Sequence, residues 1–207
     1  MLQRKGQLFV VSGPSGAGKG TILKEVYKRR KDLYFSISAT TRSPRVNETE
    51  GKSYYFLNEE EFKRRIDADD FLEWAEVYGN YYGTLKGPVV HQLERGLNVI
   101  LEIDIQGALQ IKDMYDDAIF IFVLPPSLEV LRRRIVERGS ESDETLNRRM
   151  QKALEEISYI EKYDYFIING ELERSVNTMD SILNAENAKV AQDIVELITT
   201  EQQDFKF

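Results

Sequence analysis

The sequence predicts an α/β fold in which a parallel sheet is flanked by helices, and two observations lead to this prediction. Short apolar runs rich in β-branched and aromatic residues alternate with segments of helical periodicity, as in parallel strands joined by crossover helices. A glycine-rich loop follows the first apolar run and precedes a helix, which is the strand–loop–helix order of phosphate-loop (P-loop) folds. The predicted strands cover residues 8–11, 99–103, 119–124 and 165–168.

Two long helices are predicted from apolar side chains that recur at spacings of three or four residues. Such spacing places the side chains on one helix face, which we expect to pack against the core. In residues 145–162 this face consists of Leu146, Met150, Ala153, Leu154, Ile157 and Ile160. In residues 172–198 it consists of Val176, Met179, Leu183, Val190, Ile194 and Leu197.

The composition changes within the chain and predicts an inserted subdomain. Nine of the 22 aromatic residues lie between Tyr54 and Tyr82, so we assign residues 37–90 to an insertion. After two consecutive prolines, residues 127–149 contain several arginines and a polar turn, and they are predicted to form a mobile, arginine-bearing lid. The core of this single domain then consists of residues 1–36, 91–126 and 150–207.

One helix start within the insertion can be predicted from its cap. Asn58 precedes three glutamates and is expected to be the N-cap, with Glu61 completing a capping box. Leu57 and Phe62 have the spacing of a hydrophobic staple. The glutamates therefore need no catalytic role.

Composition and charge exclude several classes of function. A chain of 207 residues with 42% hydrophobic residues suits one globular domain, and the absence of cysteine excludes disulfides, thiolate metal sites and cysteine nucleophiles. The net charge of −7 disfavours nucleic acid and anionic membranes as partners. No window approaches the roughly 18 apolar residues that a membrane span needs. Because residues 1–6 lead into the first strand without an apolar stretch, we expect a cytoplasmic protein.

The glycine-rich loop predicts a nucleotide phosphate site. Its glycines permit a backbone whose N–H groups turn inward around an anion, Lys19 adds a positive charge for the β- and γ-phosphates, and the next helix points its N-terminus at the same anion. Gly20 stands where a Ser or Thr hydroxyl usually ligates Mg²⁺, and Thr21 follows one residue later. We therefore expect phosphates and water to coordinate Mg²⁺, and we assign no side chain as a direct metal ligand. The loop consists of Gly13, Pro14, Ser15, Gly16, Ala17, Gly18, Lys19, Gly20 and Thr21.

A second anion site is predicted in residues 36–45. Arg42 and Arg45 are three residues apart on a chain stiffened by Pro44. Their planar guanidinium groups can bind one phosphate from two directions. This segment is therefore predicted to be an anion site in addition to the phosphate loop.

Residues 38–45 (SATTRSPR), with Glu48, Gly51 and Tyr54 downstream, closely resemble guanylate kinases. The resemblance extends through residues 71–76 (FLEWAE), 79–84 (GNYYGT) and 100–107 (ILEIDIQG) and through the predicted lid to Asn169. It covers nearly the whole chain and implies transfer of a phosphoryl group from ATP to GMP, giving ADP and GDP, with Mg²⁺ as the metal. It also implies that residues 37–90 form the GMP-binding subdomain.

The resemblance assigns roles to individual residues. Contacts to the GMP phosphate are implied for Arg42, Arg45, Tyr54 and Tyr82, and contacts to guanine for Ser38, Glu73, Thr84 and Asp104. The lid arginines Arg134, Arg138 and Arg149 are implied to close over the ATP phosphates, and Asn169 to lie near the adenine. Glu102 stands where relatives often carry Asp, which implies a role near the acceptor or the waters of the metal. Four of the named residues are expected to act in catalysis: Lys19, Arg45, Arg138 and Arg149.

The chemistry of phosphoryl transfer leads to the same kind of site. The reaction needs positioning and charge neutralisation more than covalent help. The acceptor is itself a phosphate with a second pKa of about 6, so it is largely ionised at neutral pH and needs no general base. His91, the only histidine, is therefore expected to be outside the chemistry. For Glu102 and Asp104, which follow a predicted strand, capping of nearby backbone is the structural alternative.

Other functions stay open from the sequence. Guanylate-kinase-like domains of scaffolding proteins bind proteins, but their phosphate loops are typically degraded, whereas this loop retains its glycines and Lys19. A kinase for another nucleoside monophosphate is the second alternative, because residues 18–21 (GKGT) also resemble adenylate kinases. A GTP-hydrolysing switch is disfavoured, because the chain contains no Asn-Lys-x-Asp motif.

Overall fold

A five-stranded parallel sheet forms the centre of the fold. The computed structural model describes residues 5–77, 79–137 and 143–190, together with residues 195 and 199. Going across the sheet, the strands are β2 (Leu33–Phe35), β7 (Asn98–Glu102), β1 (Leu8–Ser12), β8 (Ile119–Leu124) and β9 (Tyr165–Ile168). All four neighbouring pairs are parallel, which confirms the predicted fold class and the four predicted strands. β2 was not predicted, because three residues are too few for a recognisable pattern.

Helices cover both faces of this sheet, and each face has its own core. The helices of the core and the lid are α1 (Lys19–Arg29), α3 (Lys86–Glu94), α4 (Ile105–Met114), α5 (Leu128–Glu137), α6 (Asp143–Ser158) and α7 (Leu172–Asn187). On one face Val26 of α1 and Met179 of α7 pack against the sheet. On the other face Val89 of α3 and Ile111 of α4 do so. Among the described residues, no helix is long and apolar enough to span a membrane.

The edge strand β9 departs from the prediction. Its hydrophobic run was expected to be covered on both faces, but Phe166 and Ile168 are more than half exposed and only Ile167 is fully buried. β9 is the edge strand of the sheet, and the described residues leave open the face that carries Phe166 and Ile168. Continuous hydrophobicity therefore predicted the strand correctly and its burial wrongly.

The predicted helix faces are correct in part. α6 packs on α5 through Leu146, Met150 and Ala153, whereas Leu154 points away from this contact and is exposed. α7 ends at Asn187, so Val190 is not on its core face and is 78% exposed. The periodicity of apolar residues alone does not show where the contact of a helix with the core ends. Ile194 and Leu197 lie outside the described residues.

The arginine-bearing segment consists of α5 and the first half of α6. The lid boundary predicted at residue 149 falls inside α6, which continues to Ser158 and is followed by a 3₁₀ turn, Tyr159–Lys162. One helix thus connects the lid region to the core.

Residues 38–85 form a second, smaller sheet with its own core. Its strands, in spatial order, are β4 (Tyr55–Phe56), β3 (Ser38–Thr40), β6 (Asn80–Leu85) and β5 (Phe71–Val77), and α2 (Glu59–Asp67) packs against them. Phe62 of α2 stacks on Phe71 with ring centroids 4.4 Å apart. This sheet lies wholly within the span assigned to the insertion.

The start of α2 has the predicted cap. Asn58 Oδ1 accepts from the Glu61 amide at 2.7 Å, and Leu57 packs into the same cluster as Phe62. The Glu61 carboxylate instead accepts from Arg64 and Arg65. The cap is therefore formed, while the reciprocal half of the capping box is replaced by ion pairs.

Candidate active site

A single cleft of about 430 Å³ lies between the phosphate loop, the second sheet and α6. The carboxyl ends of β1 and β7 form its floor, which is where parallel sheets usually bind ligands. Fourteen of the predicted site residues line it: Gly13, Ser15, Gly16, Gly18, Lys19, Gly20, Ser38, Arg45, Tyr54, Glu73, Tyr82, Glu102, Asp104 and Arg149. Residues predicted for the donor and for the acceptor thus meet in one cavity.

The phosphate loop needs its glycines for conformation and for space. Gly13 and Gly18 have φ values of +139° and +90°, which L-residues rarely adopt. A Cβ at Gly13 would lie 2.2 Å from the carbonyl oxygen of Val123, and one at Gly18 would lie 2.2 Å from Nδ2 of Asn169. The loop backbone is therefore packed directly against β8 and against the residue that follows β9.

Asn169 and Arg134 do not line the cleft, but both donate hydrogen bonds to the backbone of this loop. Asn169 is 5% exposed, and its Nδ2 donates to the carbonyl of Ala17 at 2.7 Å. The Arg134 guanidinium donates to the same carbonyl at 3.2 Å and to the Asn169 carbonyl at 3.1 Å. Both side chains were expected to contact ATP, and the structure gives them an additional role in supporting the loop. Pro14, Ala17 and Thr21 likewise do not line the cleft.

The cations of the donor side lie at the loop. Lys19 is the first residue of α1, and its Nζ donates to the Gly13 carbonyl at 2.6 Å. Arg149 of α6 extends to the opposite rim of the loop, where its guanidinium is 3.4 Å from the Ser15 hydroxyl. Arg138 lies outside the described residues. Two cations therefore flank the position where the terminal phosphates of a nucleotide would lie.

Glu102 fills the space beside Gly20. A Cβ at Gly20 would lie 3.3 Å from Glu102 Oε2, so this carboxylate lies where a Ser or Thr side chain would otherwise extend. Carboxylate oxygens suit Mg²⁺, which keeps several of its waters. In the described ranges, no cluster of three or more His, Cys, Asp or Glu residues could hold a metal. The Glu102 carboxylate thus fits a place beside a Mg²⁺ ion.

Glu73 is a buried carboxylate at the acceptor end of the cleft. It is 4% exposed, and its Oε1 accepts from the Thr84 hydroxyl at 2.6 Å across the β5–β6 pair. Burial raises the pKa of Glu73 to about 7, the hydrogen bond from Thr84 acts in the opposite direction, and the charge of Asp104 adds to the rise. Thr84 was expected to donate to guanine, but in this structure its proton is directed at Glu73.

Asp104 caps a helix and also lines the cleft. Its Oδ1 accepts from the Gly107 amide at 2.9 Å and caps α4, which is the structural alternative. It also lines the cleft next to Glu73. A cap that faces a cleft can bind a ligand with its other oxygen.

Glu48 contacts both of the arginines that were predicted to bind the acceptor phosphate. Its carboxylate accepts from the Arg42 guanidinium at 2.9 Å and from the Arg45 amide at 2.8 Å. Burial alone would raise the pKa of Glu48, but these hydrogen bonds outweigh it and hold the pKa below its usual range. Arg42 also lies over the Tyr54 ring at 5.4 Å and does not line the cleft, whereas Arg45 does. Tyr82 lies next to Tyr54, with ring centroids 6.2 Å apart.

Sequence reasoning missed three charged residues of the site. Glu48 was noted only as part of a motif, although its carboxylate accepts hydrogen bonds from both Arg42 and Arg45. Lys152 and Glu156 of α6 line the cleft beside Arg149. Burial raises the pKa of Glu156, while Lys152, Lys19 and the Ser15 amide act in the opposite direction. Lys152 and Glu156 follow Arg149 by three and seven residues, and this spacing predicts that they share a helix face with it.

Comparisons with known proteins agree with this geometry. The family model described as guanylate kinase matches residues 5–186. The guanylate kinase of Clostridium perfringens (strain 13) is 55% identical over 186 residues, which is 90% of this chain and 86% of the relative. That of Caldanaerobacter subterraneus is 53% identical over 91% of this chain and 92% of the relative. The crystal structure of guanylate kinase from Anaplasma phagocytophilum superposes with a TM-score of 0.78 at 35% identity and covers 92% of this chain and 90% of that one. The chain belongs to the guanylate kinase family.

Proposed function

We propose that this protein transfers the γ-phosphoryl group of ATP to GMP, giving ADP and GDP. The observation that carries the proposal is that one cleft joins the loop lysine, Lys19, to the buried carboxylate Glu73. The first fits the phosphates of a donor nucleotide, and the second fits the base of an acceptor. Family membership supports the same reaction.

On the donor side, the loop and its cations bind and orient ATP. The backbone N–H groups of the glycine-rich loop and the N-terminus of α1 face the phosphates, and Lys19 moves from the Gly13 carbonyl onto the β- and γ-phosphates. Arg149 and Arg138 approach the transferring group from the lid. Their charges matter most in the transition state, where negative charge is spread over the γ-phosphoryl oxygens.

On the acceptor side, Glu73 reads the base and Arg45 holds the phosphate. Guanine presents its N1–H and exocyclic amino group side by side, and an ionised carboxylate can accept from both. These two donors favour the ionised form of Glu73, whose pKa is about 7 in the empty cleft. Thr84 keeps that carboxylate oriented, and Ser38 and Asp104 line the same cleft. Arg42, which packs on the Tyr54 ring, completes the phosphate site with Tyr54 and Tyr82. The acceptor phosphate is already ionised, so no residue has to remove a proton.

Closure of the second sheet and the lid brings the two anionic substrates together. Two phosphates repel each other, and the cations of the cleft offset this repulsion when water is excluded. Glu102 and the ATP phosphates would hold a Mg²⁺ ion with its waters, and that ion would supply further charge neutralisation. A cytoplasmic location stays a prediction from the sequence.

Two other functions are disfavoured by particular residues. A protein-binding module does not need a complete phosphate loop with Lys19 and Arg149 placed at it. A kinase for AMP would place the N1 lone pair of adenine against the Glu73 carboxylate, which would leave a buried charge unpaired.

A coupled assay with ATP and each of GMP, AMP, UMP and CMP tests the proposal. We expect turnover with GMP at least a hundredfold above that with the other three acceptors. Equal turnover of AMP and GMP would contradict the assignment of the base site. Absence of turnover with every acceptor, in a folded protein, would favour the binding module.

A further inference from the structure

We infer that Gly107 positions Glu73 for guanine recognition, because the absence of a side chain at residue 107 leaves the space that the Glu73 carboxylate occupies. The inference rests on the proposed function, since it concerns the part of the same cleft that is proposed to bind guanine. A Cβ at Gly107 would lie 2.2 Å from Glu73 Oε2, 2.9 Å from Glu73 Cδ and 3.4 Å from Asp104 Oδ1. Gly107, which has no side chain, thus lies next to both carboxylates that are proposed to contact guanine.

Backbone conformation gives no reason for a glycine at this position. Gly107 is the third residue of α4 and is not among the glycines with positive φ. Glycine inside a helix is less favourable than alanine, because it loses more conformational freedom on folding. The requirement must therefore come from the space next to the helix, and that space is filled by Glu73.

An added methyl group would displace Glu73 rather than the helix. The amide of Gly107 is held by the cap bond to Asp104 Oδ1 at 2.9 Å, and the next residue, Ala108, is fully buried. The Glu73 carboxylate is the end of a side chain that can rotate. Moving it would break its 2.6 Å hydrogen bond from Thr84 and take it away from the N-terminal turn of α4, where the helix dipole favours negative charge.

Comparison of Gly107→Ala with Gly87→Ala isolates this effect. Gly87 lies in the first turn of α3, where a Cβ would meet nothing within 4 Å, so it provides a matched glycine-to-alanine control. KM and kcat are measured for GMP and for IMP, which lacks the exocyclic amino group, and KM is measured for ATP. Urea unfolding of each variant reports its stability.

For Gly107→Ala we expect the KM for GMP to rise at least tenfold while the KM for ATP stays within twofold. The preference for GMP over IMP should fall at least threefold, because Glu73 no longer reads the amino group. Gly87→Ala should leave all these values within twofold. An unchanged KM for GMP in Gly107→Ala, or an equal rise in the KM for ATP, would overturn the inference.

A second comparison covers the case in which Gly107→Ala does not fold. Glu73→Ala removes the atoms that the new methyl group would meet, so adding Gly107→Ala to it should change the KM for GMP by less than twofold. A further tenfold rise would mean that Gly107 acts elsewhere. The wild type is assayed in parallel: its failure to phosphorylate GMP would contradict the proposed function, whereas active enzyme with insensitive variants would contradict this inference alone.

Discussion

The hydroxyl of Thr84 donates to the carboxylate of Glu73 across two neighbouring antiparallel strands, and both side chains are buried. The bond is 2.6 Å long and fixes one carboxylate oxygen of Glu73. The other oxygen lies against Gly107 at the start of α4. The carboxylate that we propose for base recognition is thus held from two sides by residues that need not contact the base.

Thr84→Val should weaken GMP binding without affecting ATP. Valine has nearly the same shape but cannot donate, and a hydrogen bond to a charged group contributes about 1.5–3 kcal/mol, so we expect the KM for GMP to rise roughly tenfold or more. Thr84→Ser keeps the hydroxyl and should restore most of the affinity. Steady-state kinetics with each substrate varied provide the measurement. A Thr84→Val enzyme with normal KM for GMP would show that the bond does not matter.

Glu73→Gln should stabilise the free protein increasingly as pH rises. The carboxyl has a pKa of about 7 in the folded protein and of 4.5 as a freely solvated side chain, so the folded protein binds more protons between these values and wild-type stability falls as pH rises through this window. The shift corresponds to about 3 kcal/mol. Glutamine does not titrate, so the difference in unfolding free energy between variant and wild type should grow from about pH 4.5 to 8. Urea titrations across this range measure it, and a constant difference would contradict the raised pKa.

Lys19→Ala should reduce kcat/KM by a hundredfold or more and leave the fold intact. Loss of a charge-assisted contact to the transferring group costs on the order of 3 kcal/mol in the transition state. Lys24→Ala, an exposed lysine on the same helix, is the control and should be nearly normal. Circular dichroism of both variants checks the fold. Near-normal turnover in folded Lys19→Ala would remove this residue from the mechanism.

Arg149→Ala should lower kcat much more than it raises the KM for ATP. Arg149 lies at the rim of the loop, 3.4 Å from the Ser15 hydroxyl, and we expect lid closure to bring it to the transferring group, where its charge stabilises the transition state more than bound ATP. The control is Arg133→Ala, because Arg133 is 68% exposed and only loosely paired with Glu137. If Arg149→Ala changed only the KM for ATP, its assignment to the transition state would be wrong.

Features that depend on local sequence could be predicted. The phosphate loop, its strand and its lysine are contiguous, and the Asn58 cap depends on four residues. The arginine motif of residues 42–45 is equally local. β3 and β4 of the second sheet contain three and two residues, too few for periodicity to reveal them.

Features that depend on packing between distant segments could not be predicted. The approach of Glu73 to Gly107 joins β5 to α4, and the support of Ala17 by Asn169 joins segments 152 residues apart. Glu156 shares a helix face with Arg149, but only the fold shows that this face lies at the cleft. A sequence pattern identified these elements without revealing which side chains would meet.

Asn169→Ala should raise the KM for ATP and for GTP as donors by the same factor. Asn169 is buried, and its Nδ2 donates to Ala17 at 2.7 Å and to Gly18 at 3.4 Å, so its loss should loosen the loop that binds any triphosphate. We expect a several-fold rise for both donors, with the KM for GMP unchanged. Asn177→Ala, which removes a surface partner of Arg29, is the matched control. If Asn169 contacts the adenine, as the family resemblance implies, the variant would instead lose its preference for ATP over GTP. Kinetics with the two donors separate loop support from base contact, and the hydrogen bonds of Asn169 favour loop support.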